Sequence, residues 1–419
     1  MPLKSLDDWL KYIETLRPNE DEFSLDRIRP VYEELIKSPI AENIVVVGGT
    51  NGKGTTVEYL QELSKSQGLS VGSYTSPHLF NFNERIRLDG NLISDHQIIL
   101  AFEQIEEKRG SAHLTYFDFA TLAAFIIFLE AQVDIAILEI GIGGRFDPVN
   151  LVEPNVSILT NVDLDHQNWL GKTTEEIGKE KAAIFRENKP AILGQQNLPN
   201  SVHYEANRLV ASVIELGIDF KIELNSKDEW TYLLNDRKDK LIIDGLKEDK
   251  LSIEAAACAL TAFFLLGGIN NSSIRDVINT TNLKGRCELV NKRYLLDVSH
   301  NPASVIQLSK YIERNYKKDQ KISAVLGVMQ DKDVVDMIQS IKKFVSKWYA
   351  TSPNIERSLP SADLTRILSE LVEEEVVRTS SIKEAIDAVI LESEDELVLI
   401  FGSFYTISEA FGVIKELES

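Results

Sequence analysis

The residues best able to do chemistry begin with Ile44–Thr56, IVVVGGTNGKGTT. Ile44 to Val47 are four β-branched residues in a row, the mark of a strand buried on both faces. Gly48, Gly49, Gly52 and Gly54 follow, with Lys53 among them, and a helical pattern then runs through Leu60 and Leu63. Strand, glycine turn and helix start make an anion cradle: backbone N–H groups converge where the helix dipole is positive, and Lys53 adds a charge. The loop departs from the common GxxxxGK[ST] pattern, because Val47 stands where its first glycine belongs and Gly54 separates Lys53 from Thr55. An ordinary glycine turn is the alternative. The lysine and the two threonines point instead to a nucleoside triphosphate.

Four other segments place polar side chains at the ends of apolar runs. Val71–Thr75 reads as a short strand that ends in SPHLFNFNERIRL, with Ser76, Asn83, Glu84, Arg85 and Arg87. In open α/β sheets ligands bind at the carboxyl ends of strands, although a charged cluster is equally a solvated loop. The strand Ile135–Ile140 carries Glu139, a carboxylate in an aliphatic run. It requires either a basic partner such as Arg145 or a metal ion, and opposite a phosphate loop magnesium is the better match. Val156–Thr160 is followed by NVDLDHQNWLG, where His166 stands among Asn161, Asp163 and Asp165 as a ligand or as a structural hydrogen-bonder. In TTEEIGKEKAAIFRE, Thr173 and Glu176 have capping-box spacing, and Lys181 shares an apolar stripe with Ile177, Ile184 and Phe185. Its amine either snorkels to the rim or is desolvated, which lowers its pKa and makes it reactive.

Alternating strand and helix patterns must position these groups. Helices are predicted at Leu6–Leu16, Arg27–Ile36, Asp95–Lys108, Phe117–Ala131, Glu254–Leu266 and Ser272–Asn279. Between Ala191 and Ser252 the pattern weakens to short alternating runs at Trp230–Leu234 and Leu241–Ile243, a small β excursion. Leu283–Arg286 is the expected hinge. Strands then restart at Tyr294–Val298, Ile322–Val328, Lys347–Ala350, Glu375–Thr379 and Leu397–Phe401, with Asp297, His300 and Asn301 at the end of the first. The reading is an α/β chain of two domains. Residues 1–284 form an ATPase-like domain with a mostly parallel sheet, and residues 285–419 a smaller Rossmann-like domain.

The totals agree. A chain of 419 residues exceeds one modest core. A net charge of −20 argues against nonspecific binding to nucleic acid or an anionic membrane, and confines cationic contacts to pockets. Cys258 and Cys287 form neither a metal-ligand spacing nor a disulfide framework, which fits a reducing cytoplasm. No run approaches the length of a membrane span, and the amino terminus lacks the apolar core of a signal peptide.

Taken in order, GGTNGKGTT, YTSPHLFNFNERIRLDG, LTYFDFATLAA, LEIGIGGRFDPVN, LDHQNWLG, GKEKAAIF, LKGR, LLDVSHNP and FGSFY resemble the folylpolyglutamate synthases, in particular the bacterial enzymes that are also dihydrofolate synthases, within the Mur ligase superfamily. The resemblance implies a cytoplasmic, monomeric ligase that uses ATP and two magnesium ions. It would join L-glutamate to dihydropteroate and to reduced folates through an acyl phosphate. By motif position, Thr50, Asn51, Gly52, Lys53, Gly54 and Thr55 hold the ATP phosphates, and Arg286 and Asp297 contact the nucleotide. Ser76 and Glu139 bind the first magnesium and His166 the second, while Lys181 carries CO2 as a carbamate beside the metals. The resemblance assigns the pterin to Asp21, Glu22, Phe23, Thr115, Tyr116, Phe117, Asp118, Phe146, Asp147 and Pro148. Two departures stand out. Ala255 occupies a position where the family often has asparagine, and FDPVN replaces the common LDATN.

Overall fold

The computed structural model describes residues 5–16, 24–225, 229–235, 240–247, 251–317, 320–392 and 396–417. Asp21, Glu22 and Phe23 lie outside the described residues. The chain divides into two compact units, one of residues 1–248 with 252–281, the other of residues 249–251 with 282–419.

The first unit is built on eight strands: β1 (Asn43–Gly48), β2 (Val71–Tyr74), β3 (Ile86–Leu88), β4 (Asn91–Leu92), β5 (Ile135–Glu139), β6 (Val156–Leu159), β7 (Pro190–Leu193) and β8 (Ser212–Glu215). Their order is β4-β3-β2-β5-β1-β6-β7-β8. All neighbours are parallel except β2/β3 and β3/β4. β1, β2, β5 and β6 are buried along almost their whole length, as expected of strands covered by helices on both faces. Register then decides where chemistry is possible. Val47 of β1 pairs with Glu139, Gly48 with Leu159 of β6, and Tyr74 of β2 with Leu138. Four strands therefore end together, and the loops that follow them share one edge.

The helix Tyr116–Ala131 is apolar around its circumference and buried from Asp118 to Phe128 between the sheet and outer helices. Its start is fixed by a capping box of Thr115 and Asp118. A three-stranded antiparallel sheet, β9 (Phe220–Leu224), β10 (Glu229–Asn235) and β11 (Lys240–Lys247), forms the β excursion. The helix Ile253–Leu265 packs on Lys53–Ser66, so the element following the excursion supports the helix that the glycine loop begins.

The second unit has β12 (Glu288–Val290), β13 (Tyr294–Asp297), β14 (Ile322–Leu326), β15 (Lys347–Ala350), β16 (Glu375–Arg378) and β17 (Leu397–Phe401), ordered β12-β13-β17-β14-β15-β16. Only β12 runs antiparallel, as a hairpin with β13. The Leu283–Arg286 segment leads into this hairpin through a turn in which the Arg286 amide donates to the Leu283 carbonyl. Burial of β13, β14 and β17 on both faces accounts for the aliphatic runs there.

Candidate functional site

The glycine loop connects β1 to the helix Lys53–Ser66. Gly49 has φ of 144°, and an added Cβ would lie 1.9 Å from Thr160 Oγ1, so only glycine brings the chain this close to the end of β6. Across that contact Asn161 Oδ1 accepts from the amides of Thr50 (3.0 Å) and Asn51 (2.8 Å), and Thr160 Oγ1 donates to the Asn51 carbonyl. The amides of Lys53, Gly54 and Thr55 open the helix and have no acceptor within it. These three make the anion cradle. Thr50 and Asn51 shape it, because the asparagine just past the end of β6 occupies their amides. Lys53 folds back over the loop, its Nζ donating to the carbonyls of Gly49 (3.2 Å) and Thr50 (3.3 Å).

Glu139 ends β5 beside this cradle and is 5% exposed. Its Oε2 accepts from the Ser76 amide at 3.0 Å and would lie 3.5 Å from a Cβ at Gly54. Arg145, the example of a basic partner for Glu139, instead meets Glu180 at 3.3 Å. Glu139 and Ser76 thus adjoin the helix start. A carboxylate, a serine and an open phosphate cradle form an oxygen-rich set suited to Mg2+, which keeps waters and phosphate oxygens among its ligands. No cage of three or more His, Cys, Asp or Glu side chains occurs among the described residues. His166 lies at the end of the segment after β6, with φ of 50°, and caps the short helix Gln167–Leu170. Its backbone amide donates to Asp165 Oδ1 at 2.8 Å.

Lys181 is 4% exposed and reaches the same loop from the other side, Nζ donating to the Gly49 carbonyl at 2.8 Å. Burial, then the charge of Lys53, pushes its pKa down from 10.5 to about 7. It does not snorkel to the rim. The helix that carries it runs Thr174–Lys181, with the expected capping box of Thr173 and Glu176, and stops there. A 3-10 turn, Ala182–Ile184, follows. The apolar stripe therefore does not continue along one α-helix. Ile177, Ile184 and Phe185 are nevertheless all buried. The helix end is pressed against the GIGGR loop: a Cβ at Gly144 would meet the carbonyls of Glu180 at 2.7 Å and Lys181 at 3.0 Å.

Around Gly141 lies a second group. The Phe117 ring covers it, since a Cβ there would come 2.5 Å from Phe117 Cζ. Asp147 is buried and accepts from the amides of Gly141, Ile142 and Val149. Burial raises its pKa to about 7 even so. Phe146 is exposed, whereas Pro148 is buried. Thr115 and Asp118 are structural at this point: Asp118 is fully buried, paired with Arg27 at 2.9 Å, and accepts from the Thr115 amide. Tyr116 packs on Phe82 with Arg85 over its ring.

The polar cluster after β2 divides. Glu84 accepts from the amides of Leu79, Phe80 and Asn81, Asn83 donates to Ile93 and Asp95, and Arg87 pairs with Glu58 at 2.8 Å. These three hold the loop. Arg85 donates to His78 Nδ1 at 2.9 Å, and burial followed by that guanidinium lowers the His78 pKa to about 4. Asn161 and His78 carry no pattern of their own in the sequence, and their positions follow only from strand neighbours.

In the second unit the Asp297 carboxylate is turned to its own loop. It accepts from Ser299, by amide and hydroxyl, and from the Cys287 amide. Arg286 lies over the Phe404 ring, 5.8 Å from its centroid, and the His300 ring is 6.0 Å from the same ring. Phe404, from the FGSFYT segment, thus joins the two. In the first unit Ala255 lies next to Gly52, whose added Cβ would be 3.9 Å from the alanine Cβ.

Two family models match the chain: Mur ligase middle domain over residues 47–252, and Mur ligase, glutamate ligase domain, over residues 285–404. The dihydrofolate synthase/folylpolyglutamate synthase of Escherichia coli K12 is 33% identical over 418 residues, covering 99% of this chain and 96% of its own. Among solved structures, E. coli FolC in complex with DHPP and ADP has a TM-score of 0.93 at 33% identity over 100% of both chains. The Yersinia pestis bifunctional folylpolyglutamate synthase/dihydrofolate synthase complexed with AMPPNP and Mn ion has a TM-score of 0.90 at 31% identity over 99% of both.

Proposed function

The chain belongs to the dihydrofolate synthase/folylpolyglutamate synthase family of Mur ligases, and from that premise we propose how its own residues run the reaction. It is an ATP-dependent ligase that adds L-glutamate to 7,8-dihydropteroate, giving dihydrofolate, and further glutamates to reduced folates, with a divalent cation. The acceptor's carboxylate oxygen attacks the γ-phosphorus of ATP. The bond to the β-phosphate oxygen breaks, and an acyl phosphate and ADP result. The neutral amine of L-glutamate then attacks the acyl carbon, an amide C–N bond forms, and inorganic phosphate leaves as the amine gives up its proton.

The amides of Lys53, Gly54 and Thr55 and the Lys53 ammonium receive the phosphates in this scheme, with Thr50, Asn51 and Gly52 setting the loop's shape. Positioning and charge neutralisation are most of what phosphoryl transfer asks of a protein. Ser76 and Glu139 would hold one Mg2+ and His166 a second, whose chemistry would be to neutralise charge on the phosphates during transfer of the γ-phosphoryl group. Lys181 is the proposed carbamate carrier: its neutral amine attacks CO2, an N–C bond forms as one C=O π bond opens, the nitrogen's proton passes to solvent, and the side chain becomes an anion next to Lys53. Phe117 and Asp147 form the proposed pterin floor, with Phe146 at its mouth and Thr115, Tyr116, Asp118 and Pro148 behind it. Arg286 is a proposed nucleotide contact, and Asp297 acts through the loop it holds. Every reactant is a small molecule, and no step requires a second copy of the chain.

One observation carries the assignment of roles. Glu139 and Lys181, both buried, approach the same glycine loop from different elements. The test is phosphate release from ATP with magnesium and L-glutamate, with dihydropteroate and tetrahydrofolate supplied separately. Turnover with both acceptors is expected. Turnover with tetrahydrofolate alone would remove the synthase half and implicate the Phe146–Pro148 departure.

A further inference from the structure

Arg85 ends the 3-10 turn Phe82–Arg85 that leads into β3, and at 8% exposure it is the most buried arginine among the described residues. The backbone places it. The Thr75 amide donates to the Arg85 carbonyl, and the next pair along the ladder joins Tyr74 to Ile86. Arg85 therefore lies across from the residue that precedes Ser76. Its guanidinium is 5.8 Å from the centroid of the Phe82 ring and 5.5 Å from that of Tyr116.

What this buried guanidinium lacks is a counter-charge. Its Nε donates to His78 Nδ1 at 2.9 Å, and an imidazole offers an acceptor but no negative charge. Glu84, its neighbour in sequence, is turned to the amides of Leu79, Phe80 and Asn81. Among the described residues no carboxylate pairs with Arg85. Arg27, Arg87, Arg109 and Arg186, with side chains 14% to 16% exposed, each meet one. The two terminal nitrogens of Arg85 make no hydrogen bond among those residues, yet neither is sealed from solvent. Ring faces attract a cation, but a buried charge stays costly until an anion of good geometry meets it. A guanidinium fork with both terminal nitrogens open is shaped for a carboxylate.

Its neighbours indicate whose carboxylate. Through Thr75, Arg85 adjoins Ser76 and Glu139, which border the phosphate cradle. Through Tyr116 it adjoins Phe117, whose ring covers Gly141, one of the residues that donate their amides to Asp147. An acceptor with its ring system on Phe117 and its reacting end at the γ-phosphate must present its carboxylate between these two places. We propose that Arg85 binds the reacting carboxylate of the acceptor and holds it toward the γ-phosphate. The inference rests on the ligase reading above and adds to it the cation that recognises the acceptor's charge. All the residues it uses belong to the first unit.

The experiment measures binding of dihydropteroate, and of the same molecule with its carboxylate replaced by a carboxamide, to wild type, Arg85→Met and Arg85→Lys. Calorimetry with magnesium and ADP present reads the Kd without turnover. Arg85→Met should weaken dihydropteroate about 30-fold and the carboxamide less than about threefold, the difference expected of a charge-assisted contact. Arg85→Lys should recover part of the loss. The Kd of ADP should not move, and KM for tetrahydrofolate should rise alongside the Kd of dihydropteroate. Equal losses for acid and amide would make Arg85 a support of its loop and overturn the proposal, as would unchanged dihydropteroate binding. A loss confined to tetrahydrofolate would overturn it too, because it would assign Arg85 to the α-carboxylate that dihydropteroate lacks. If thermal unfolding shows that Arg85→Met does not fold, the acid-to-amide ratio of Arg85→Lys decides. A wild type that turns over neither acceptor would sink the ligase reading itself, whereas wild-type turnover with an unaltered ratio in the variants sinks only this contact.

Discussion

Replacing Lys181 by methionine should stabilise the protein while abolishing turnover, and the stability gain should shrink as pH rises. The lysine is 4% exposed and its pKa is pushed from 10.5 down to about 7. Between those two pH values the folded state holds fewer protons than the unfolded chain, so stability rises with pH through that window. The penalty is largest at and below pH 7, where 3.5 pH units amount to about 5 kcal/mol. Methionine fills similar volume without a charge but loses the bond to the Gly49 carbonyl, about 1 kcal/mol. Relaxation around the buried amine takes roughly another 1 kcal/mol from the gain, which leaves about 3 kcal/mol. In a unit of this size that is a rise in Tm of roughly 6–12 °C. By pH 9.5 only about 1 kcal/mol of the penalty survives, and the lost hydrogen bond cancels it.

The assay is thermal unfolding of wild type and Lys181→Met at pH 7, 8.5 and 9.5 in buffer stripped of CO2, since carbamylation of the wild type would change the reference. Lys181→Arg is the control. A guanidinium cannot shed its proton, so it must be buried charged, and it should lower Tm. A methionine variant less stable than wild type at pH 7, or a gain that grows with pH, would refute the reasoning. Loss of turnover alone would not establish it.

Three other substitutions probe the site separately. Gly49→Ala would drive a Cβ into Thr160 Oγ1 at 1.9 Å; ATP affinity measured by calorimetry should fall at least about 100-fold, in line with the loss of preorganised donors. Glu139→Gln keeps an oxygen for the Ser76 amide but removes the charge, so kcat should drop by about 100-fold with Tm unchanged, and a magnesium titration should shift to higher concentration. Arg27→Ala strands the fully buried Asp118, which should cost about 3–5 kcal/mol in urea unfolding, and KM for dihydropteroate should rise more than KM for ATP.

How far the sequence reaches depends on how local the cause is. The glycine loop and its helix were legible because strand, turn and helix start are consecutive. Glu139 was legible because a carboxylate in an apolar run demands an explanation. Lys181 was identified by helical periodicity, yet its helix stops at that residue, and its burial comes from packing against the GIGGR loop. The cluster after β2 stayed undecided for the opposite reason. Sequence displays charge but not partners, and Asn83, Glu84 and Arg87 spend theirs on loop and helix neighbours. The short strand β12 escaped because three residues, half exposed, make no alternation long enough to read.

Asn161 explains why this loop departs from the common phosphate-binding pattern. In a loop where every amide serves phosphate, glycine is needed throughout. Here Asn161 takes the amides of Thr50 and Asn51 and Thr160 takes the Asn51 carbonyl, so β6 clamps that half and only the first helical turn is left for the ligand. A smaller cradle needs compensation by charge, which Lys53 supplies, and Lys181 shares its acceptor, the Gly49 carbonyl. Two full ammonium charges there would repel each other in a buried setting, so that, after burial, the charge of Lys53 lowers the Lys181 pKa. Neutral Lys181 removes that repulsion, and a carbamate on it would reverse the sign, turning a competitor of Lys53 into its counter-charge. Lys53 would then be drawn off its own loop's carbonyls. The instability stored at Lys181 and the poise of the phosphate loop follow from the same arrangement.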